Sequence, residues 1–190
     1  MKTFLIMMIL IFNFQSWTMA SGLKDFEIEG MSIGESALKY FSNPDIAKNS
    51  KNYYKNKKYT PVENNDSKNY KIYDTVDFNF KTSDKNFTFE GLSGIIFTKN
   101  MDECLEKQKI IVEELSSVFP NAVMRSRDKT FNDDYWKGTR NVAFTYYLVE
   151  GGYASVHCND YSDDHGGQDH LNVNLKTEEF NKFLNELAYK

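Results

Sequence analysis

The sequence predicts an α+β domain, an antiparallel sheet of about five or six strands with helices packed on one face. Three observations carry that expectation. Apolar and polar residues alternate at period two through 76–80 and 142–148, the signature of half-buried strands. Glu150-Gly151-Gly152 sits between two such runs and reads as a tight hairpin. Segments with apolar residues at helical spacing interrupt or follow the strands, which argues for helices laid on a hairpin-linked sheet.

The elements follow in order. Ser32-Ile33-Gly34-Glu35 has the form of a capping box, with Ile33, Ala37, Leu38 and Phe41 on one helical face beyond it. Asn43-Pro44-Asp45 opens a second short helix, with Pro in its first turn. Tyr59-Thr60-Pro61-Val62 is a strand that Pro61 confines to an edge. Val76, Phe78 and Phe80 alternate with Asp77, Asn79 and Lys81, and Ser83-Asp84-Lys85-Asn86 turns the chain. The alternation resumes at Phe87 and Phe89 and runs to Phe97, with a bend expected at Gly91 and Gly94.

Asn100, with Glu103 three residues on, caps the strongest helix, which Pro120 ends. Residues 121–140 read as irregular. Val142 to Leu148 and Tyr153 to Tyr161 form the hairpin, Leu171, Val173 and Leu175 alternate again, and Thr177 caps a last helix carrying Phe180, Phe183, Leu184 and Leu187. Polar Asp77, Asn79, Asn172 and Asn174 suggest a sheet face left to solvent.

Composition narrows the setting. The chain has 190 residues and a net charge of −4, enough for one domain and without the basic excess of a general nucleic-acid binder. Met1-Lys2, the apolar run Phe4 to Phe14 and the small-x-small ending Thr18-Met19-Ala20 follow the plan of a secretory signal peptide over residues 1–20, cleaved near Ala20. The run is shorter than the ~20 residues that span a bilayer, which disfavours an uncleaved anchor. The absence of a Cys at the cut argues against a lipidated protein. Residues 21–190 are thus expected to form a single exported domain, secreted or periplasmic, with no stable membrane insertion after cleavage.

Cys104 and Cys158 are the only cysteines. Cys104 lies in the first helical turn on the apolar face, and Cys158 shares a strand face with Ala154 and Val156. Both point into the same helix–sheet interface, the geometry of a disulfide in an exported chain. The rival is a reactive thiol, but His157 points to the opposite strand face from Cys158.

His157, His165 and His170 fall within fourteen residues, among Asp160, Asp163, Asp164 and Asp169. A Zn or other divalent site built from His165, His170, Asp163 and Asp169 is the functional reading, and a solvated hairpin loop the plainer one, since the spacing fits no established metal motif. The three arginines, Arg125, Arg127 and Arg140, bracket Trp136. Arg127, Trp136 and Arg140 are therefore candidate binding residues for an unknown protein or small ligand, against a loop that merely tucks Trp136 onto the sheet. The Lys- and Tyr-rich run at 48–59 reads as a solvated edge rather than a nucleic-acid surface. No nucleophile elbow, phosphate loop or dinucleotide fingerprint occurs, so no cofactor is expected beyond a possible divalent metal and no enzyme is announced.

The stretch Phe26-Glu27-Ile28-Glu29-Gly30-Met31-Ser32-Ile33-Gly34-Glu35-Ser36, with the surroundings of Cys104 and Cys158-Asn159-Asp160-Tyr161-Ser162, resembles uncharacterised small exported proteins of marine bacteria. The resemblance implies export and a bacterial envelope setting, and it transfers no catalytic or binding residue. The primary expectation is a soluble exported binding or interaction domain held by one disulfide. A metal-binding protein using the 157–170 loop is the alternative, and a thiol enzyme comes third.

Overall fold

A computed structural model describes residues 22–65, 70–133 and 136–190. The leader expected over 1–20 and part of the 64–67 loop lie outside them. Among the described residues, seven strands form one antiparallel sheet: β1 (Tyr59–Asn64), β2 (Thr75–Lys81), β3 (Gly91–Phe97), β4 (Val123–Thr130), β5 (Arg140–Tyr147), β6 (Tyr153–Asp160) and β7 (His170–Lys176). Their spatial order is β1-β2-β3-β7-β6-β5-β4, two meanders joined where β3 meets β7. Three α-helices accompany them among the described residues: α1 (Asn43–Asn49), α2 (Met101–Val118) and α3 (Glu178–Glu186).

The α+β class and antiparallel sheet hold, but the count is seven rather than five or six. The strand that went unread is β4, inside the segment expected to be irregular. All eight of its residues are exposed and no apolar alternation marks it. Backbone pairing with β5 along its full length makes it a strand, at a sheet edge where Arg125, Arg127 and Lys129 discourage further pairing.

A second correction concerns the helices, which lie on both faces. Cross-strand neighbours Val62, Phe78, Leu92, Leu175, Ala154 and Tyr146 follow one another across the sheet on one face. That face carries α2 and the segment 23–46, whose Leu23, Ile28, Met31, Ala37 and Ile46 join the same buried cluster. The helix α3 covers the other face. Its Phe180 and Phe183 rings stand 5.0 and 4.7 Å from that of Tyr59, with Tyr54 closing the group. Gly91 makes this approach possible, because a Cβ there would lie 2.4 Å from Cε1 of Phe180. A 3.6-residue period shows that a helix has an apolar stripe but not which side of a sheet receives it.

Local signals mostly behave as their chemistry dictates. Asn100 accepts from the Glu103 amide at 3.0 Å, and Thr177 accepts from Phe180 at 3.1 Å, each capping its helix. Ser42 caps α1, one residue before the expected position. The box at 32–35 is the exception. Glu35 does accept from the Ser32 amide at 3.2 Å, but Gly34 adopts φ +87°. The amides of Gly34 and Ala37 then bond the carbonyls of Phe89 and Phe87, leaving only a short 3-10 turn at Ala37–Lys39. Extended pairing has taken the donors a helix would need. It also draws Phe87 and Phe89 away from β3, which begins only at Gly91.

Candidate functional site

Three polar rows of the sheet lie side by side on the α3 face. Glu63, Asp77, Ser93, Asn174, Ser155, Thr145 and Arg125 are cross-strand neighbours in one line. Ile95, Asn172, His157, Ala143 and Arg127 form the next, and Asn79, Gly91, Lys176, Tyr153 and Tyr147 the line on the other side. Such a face was expected to meet solvent, but α3 and the 50s segment roof it. Asn174 and Ser155 are each only 6% exposed.

The roof is incomplete. Phe180 and Phe183 seal the β1–β2 end, whereas Asn181 and Asn185, one turn apart, face the β5–β6 end. Ala143, Ser155 and Thr145 are short, and the longer Arg125, Arg127, Tyr147, Tyr153, His157 and Lys176 rise around them. The result is a cavity of about 400 Å³. A second cavity, of about 240 Å³, lies under α3 among Tyr54, Glu63, Asp77, Ser93 and Asn174. Lys176 lines both.

Burial sets the protonation states. The His157 imidazole is pushed down to about 4, first by desolvation and then by the positive charges of Lys176 and Arg127, so it is neutral at pH 7. Burial likewise holds the Lys176 ammonium below its usual value, and no carboxylate pairs with it among the described residues. At the other end, desolvation and the nearby Glu63 push Asp77 up to about 7. Its Oδ1 is buried without a hydrogen-bond partner among the described residues, as is Oδ1 of Asn172 beside His157. The two arginines of the cavity are held by neutral partners. Arg127 Nη2 donates to Asn141 Oδ1 at 2.6 Å, and Arg125 lies 5.1 Å from the Tyr147 ring centroid. Fixed donors of this kind suit a polar or anionic ligand group.

The other expected residues lie elsewhere. Cys104 and Cys158 form a disulfide, on the opposite sheet face from His157. Of the candidate binding trio, only Arg127 reaches the cavity. Arg140 projects to the α2 face and holds Asp128 at 3.0 and 2.7 Å, while Trp136 leans on Phe131 and Tyr161. Alternation along β4 and β5 separates Arg127 from Arg140, which proximity in sequence had suggested were together.

In the 157–170 loop, both His170 ring nitrogens are engaged, Nδ1 with the Gln168 carbonyl and Nε2 with the Asn159 amide. Asp169 accepts from the Tyr161 amide at 2.9 Å, and Asp163 starts a short 3-10 turn. The side chain of His165 lies outside the described residues. Among those described, no three His, Cys, Asp or Glu side chains converge on a metal position. Among the described residues, no helix is long and apolar enough to cross a membrane.

Sequence reasoning missed Lys176, Ser155, Thr145 and the helix residues Asn181 and Asn185. The only signal for the three strand residues was the run of polar positions on otherwise apolar strands, which reads equally well as a solvated face.

No protein-family model and no curated protein matches the chain. Among solved structures it is similar to a mutant form of the protein Mog1, at 12% identity, over 74% of this chain and 86% of that one, with a TM-score of 0.29. Overlap at that level is no basis for a shared fold or activity.

Proposed function

We propose that the chain is an exported, disulfide-stabilised binding domain whose small ligand occupies the groove between α3 and β4. One observation carries this reading. A sheet face that a helix covers is ordinarily filled with apolar side chains, yet this one keeps hydrogen-bonding groups around a cavity of about 400 Å³. Export rests on the leader pattern of residues 1–20, on the resemblance to small exported proteins, and on the disulfide, a bond typical of oxidising compartments.

Filling the cavity tests the proposal. Ala143 is almost fully buried on its floor, and Ala143→Phe places a ring in the space. Compounds that raise the melting temperature of the wild-type protein in a small-molecule screen are expected to lose their effect on Ala143→Phe and keep it on His170→Ala. Equal responses in wild type and Ala143→Phe would place the ligand elsewhere. Export is checked separately, by sequencing the N-terminus of protein recovered outside the cytoplasm, where Ser21 is expected first.

A further inference from the structure

We propose that the groove is an oxyanion site, in which Lys176, Arg125 and Arg127 hold the carboxylate or phosphate group of a small organic ligand. The inference rests on the groove being the ligand site and adds the chemistry it selects.

Charge accounting leads there. The chain carries 27 acidic residues against 23 basic ones, yet among the described residues no Asp or Glu lines the 400 Å³ cavity, while Arg125, Arg127, His157 and Lys176 all do. Several basic side chains elsewhere on this protein are paired with acids. Lys58 and Lys81 share Glu179, Arg140 grips Asp128, and Lys39 meets Glu35. The groove bases instead rest on neutral groups, Asn141 for Arg127 and the Tyr147 ring for Arg125, and Lys176 has no ion-pair partner among the described residues. A half-buried ammonium without a counter-charge is costly, and a bound anion relieves that cost.

Geometry agrees with charge. Arg125 and Arg127 are two residues apart on one face of an edge strand, so their stems rise side by side about 7 Å apart. Planar guanidinium groups so placed offer the paired donors that carboxylate and phosphate oxygens accept. Ser155 and Thr145 on the floor add hydroxyl donors between them and Lys176. The volume exceeds what a bare inorganic anion fills and lies at the small end of organic-ligand sites, which run from about 300 to 1,000 Å³.

The test uses inorganic phosphate and acetate as probes on the full secreted chain at constant ionic strength, with the histidine ring signals followed by NMR. His157 lines the cavity and His170 does not, so they serve as reporter and control. An anion beside Lys176 is expected to raise the His157 titration midpoint while leaving His170 unmoved. Arg125→Gln and Arg127→Gln, both on the exposed edge strand, are each expected to weaken the response about tenfold. Response to phosphate but not acetate assigns a phosphate-bearing ligand, and the reverse a carboxylate. No movement of His157 with either probe, or equal movement in the wild type and the double arginine variant, overturns the oxyanion site. A neutral compound that binds wild type, fails on Ala143→Phe and leaves no anion response would overturn this inference while preserving the groove as the ligand site. Binding unaffected by Ala143→Phe would overturn the groove itself.

Discussion

Gln108, on the buried face of α2, donates from Nε2 to the Val142 carbonyl at 2.8 Å and to the Val156 carbonyl at 3.2 Å. Cys104 lies one turn earlier on the same face and is bonded to Cys158, the cross-strand neighbour of Val142. Successive turns of the helix are thus tied to β5 and β6, first covalently and then by hydrogen bonds. Gln108 is 2% exposed, so its amide has no water to fall back on. Gln108→Leu keeps the volume and removes both bonds, and is expected to cost about 2 kcal/mol in urea unfolding. An unchanged unfolding midpoint would show that the two carbonyls do not depend on this donor.

The disulfide spans a sequence separation of 54 residues. By loop-closure entropy, its removal is expected to cost about 4 kcal/mol. Unfolding of the paired Cys104→Ser, Cys158→Ser variant, compared with the oxidised wild type, measures it. Binding in the α3 groove should survive at temperatures where the variant is folded, because the bond lies on the other sheet face.

Two buried groups give opposite pH slopes. The His157 midpoint is held at about 4 against an ordinary 6.5, so between those values the unfolded chain binds a proton the folded one does not, and stability rises with pH. Asp77 is raised to about 7 from 3.8, so across that window the folded chain keeps a proton the unfolded one releases, and stability falls as pH rises. Relative to wild type, Asp77→Asn is therefore expected to gain about 2–4 kcal/mol on going from pH 4 to pH 8. His157→Gln is expected to gain about 2–3 kcal/mol on going from pH 7 to pH 4. Unfolding curves across pH 4–8 read both, and parallel profiles for the two variants would contradict the assignment.

Gly91 leaves the space that Phe180 fills. Gly91→Ala places a methyl 2.4 Å from the ring and is expected to cost about 2 kcal/mol through displacement of α3. Adding Phe180→Leu should recover part of that loss, because the smaller side chain vacates the clash. A double variant no more stable than Gly91→Ala would place the cost in the strand backbone instead.

Much of this protein was legible from its residues. Alternation located β2, β5, β7 and the core of β3, since a strand with one apolar face must write period two into its sequence, while Pro61 marked β1 as an edge and the Gly151-Gly152 hairpin placed β6. Side-chain caps placed the starts of α2 and α3, because capping is a contact between near neighbours in the chain. The pairing of Cys104 with Cys158 followed from which face each residue occupied.

Tertiary structure alone decided the rest. Strand β4 exists because β5 offers it a backbone ladder, and backbone hydrogen bonds need no particular side chains. The capping box at 32–35 lost to pairing with Phe87 and Phe89, residues too distant for any local rule to weigh. The side of the sheet that α3 covers was likewise undetermined, because an apolar stripe fits either face until the connection from β7 places it. That choice turned a row of polar residues from an expected solvent surface into the walls of a cavity, while the strand order β7-β6-β5-β4 brought Lys176 together with Arg125 and Arg127 from opposite ends of one meander. The sequence determined the local periodicities and caps. The site arises from long-range packing, which no local pattern encodes.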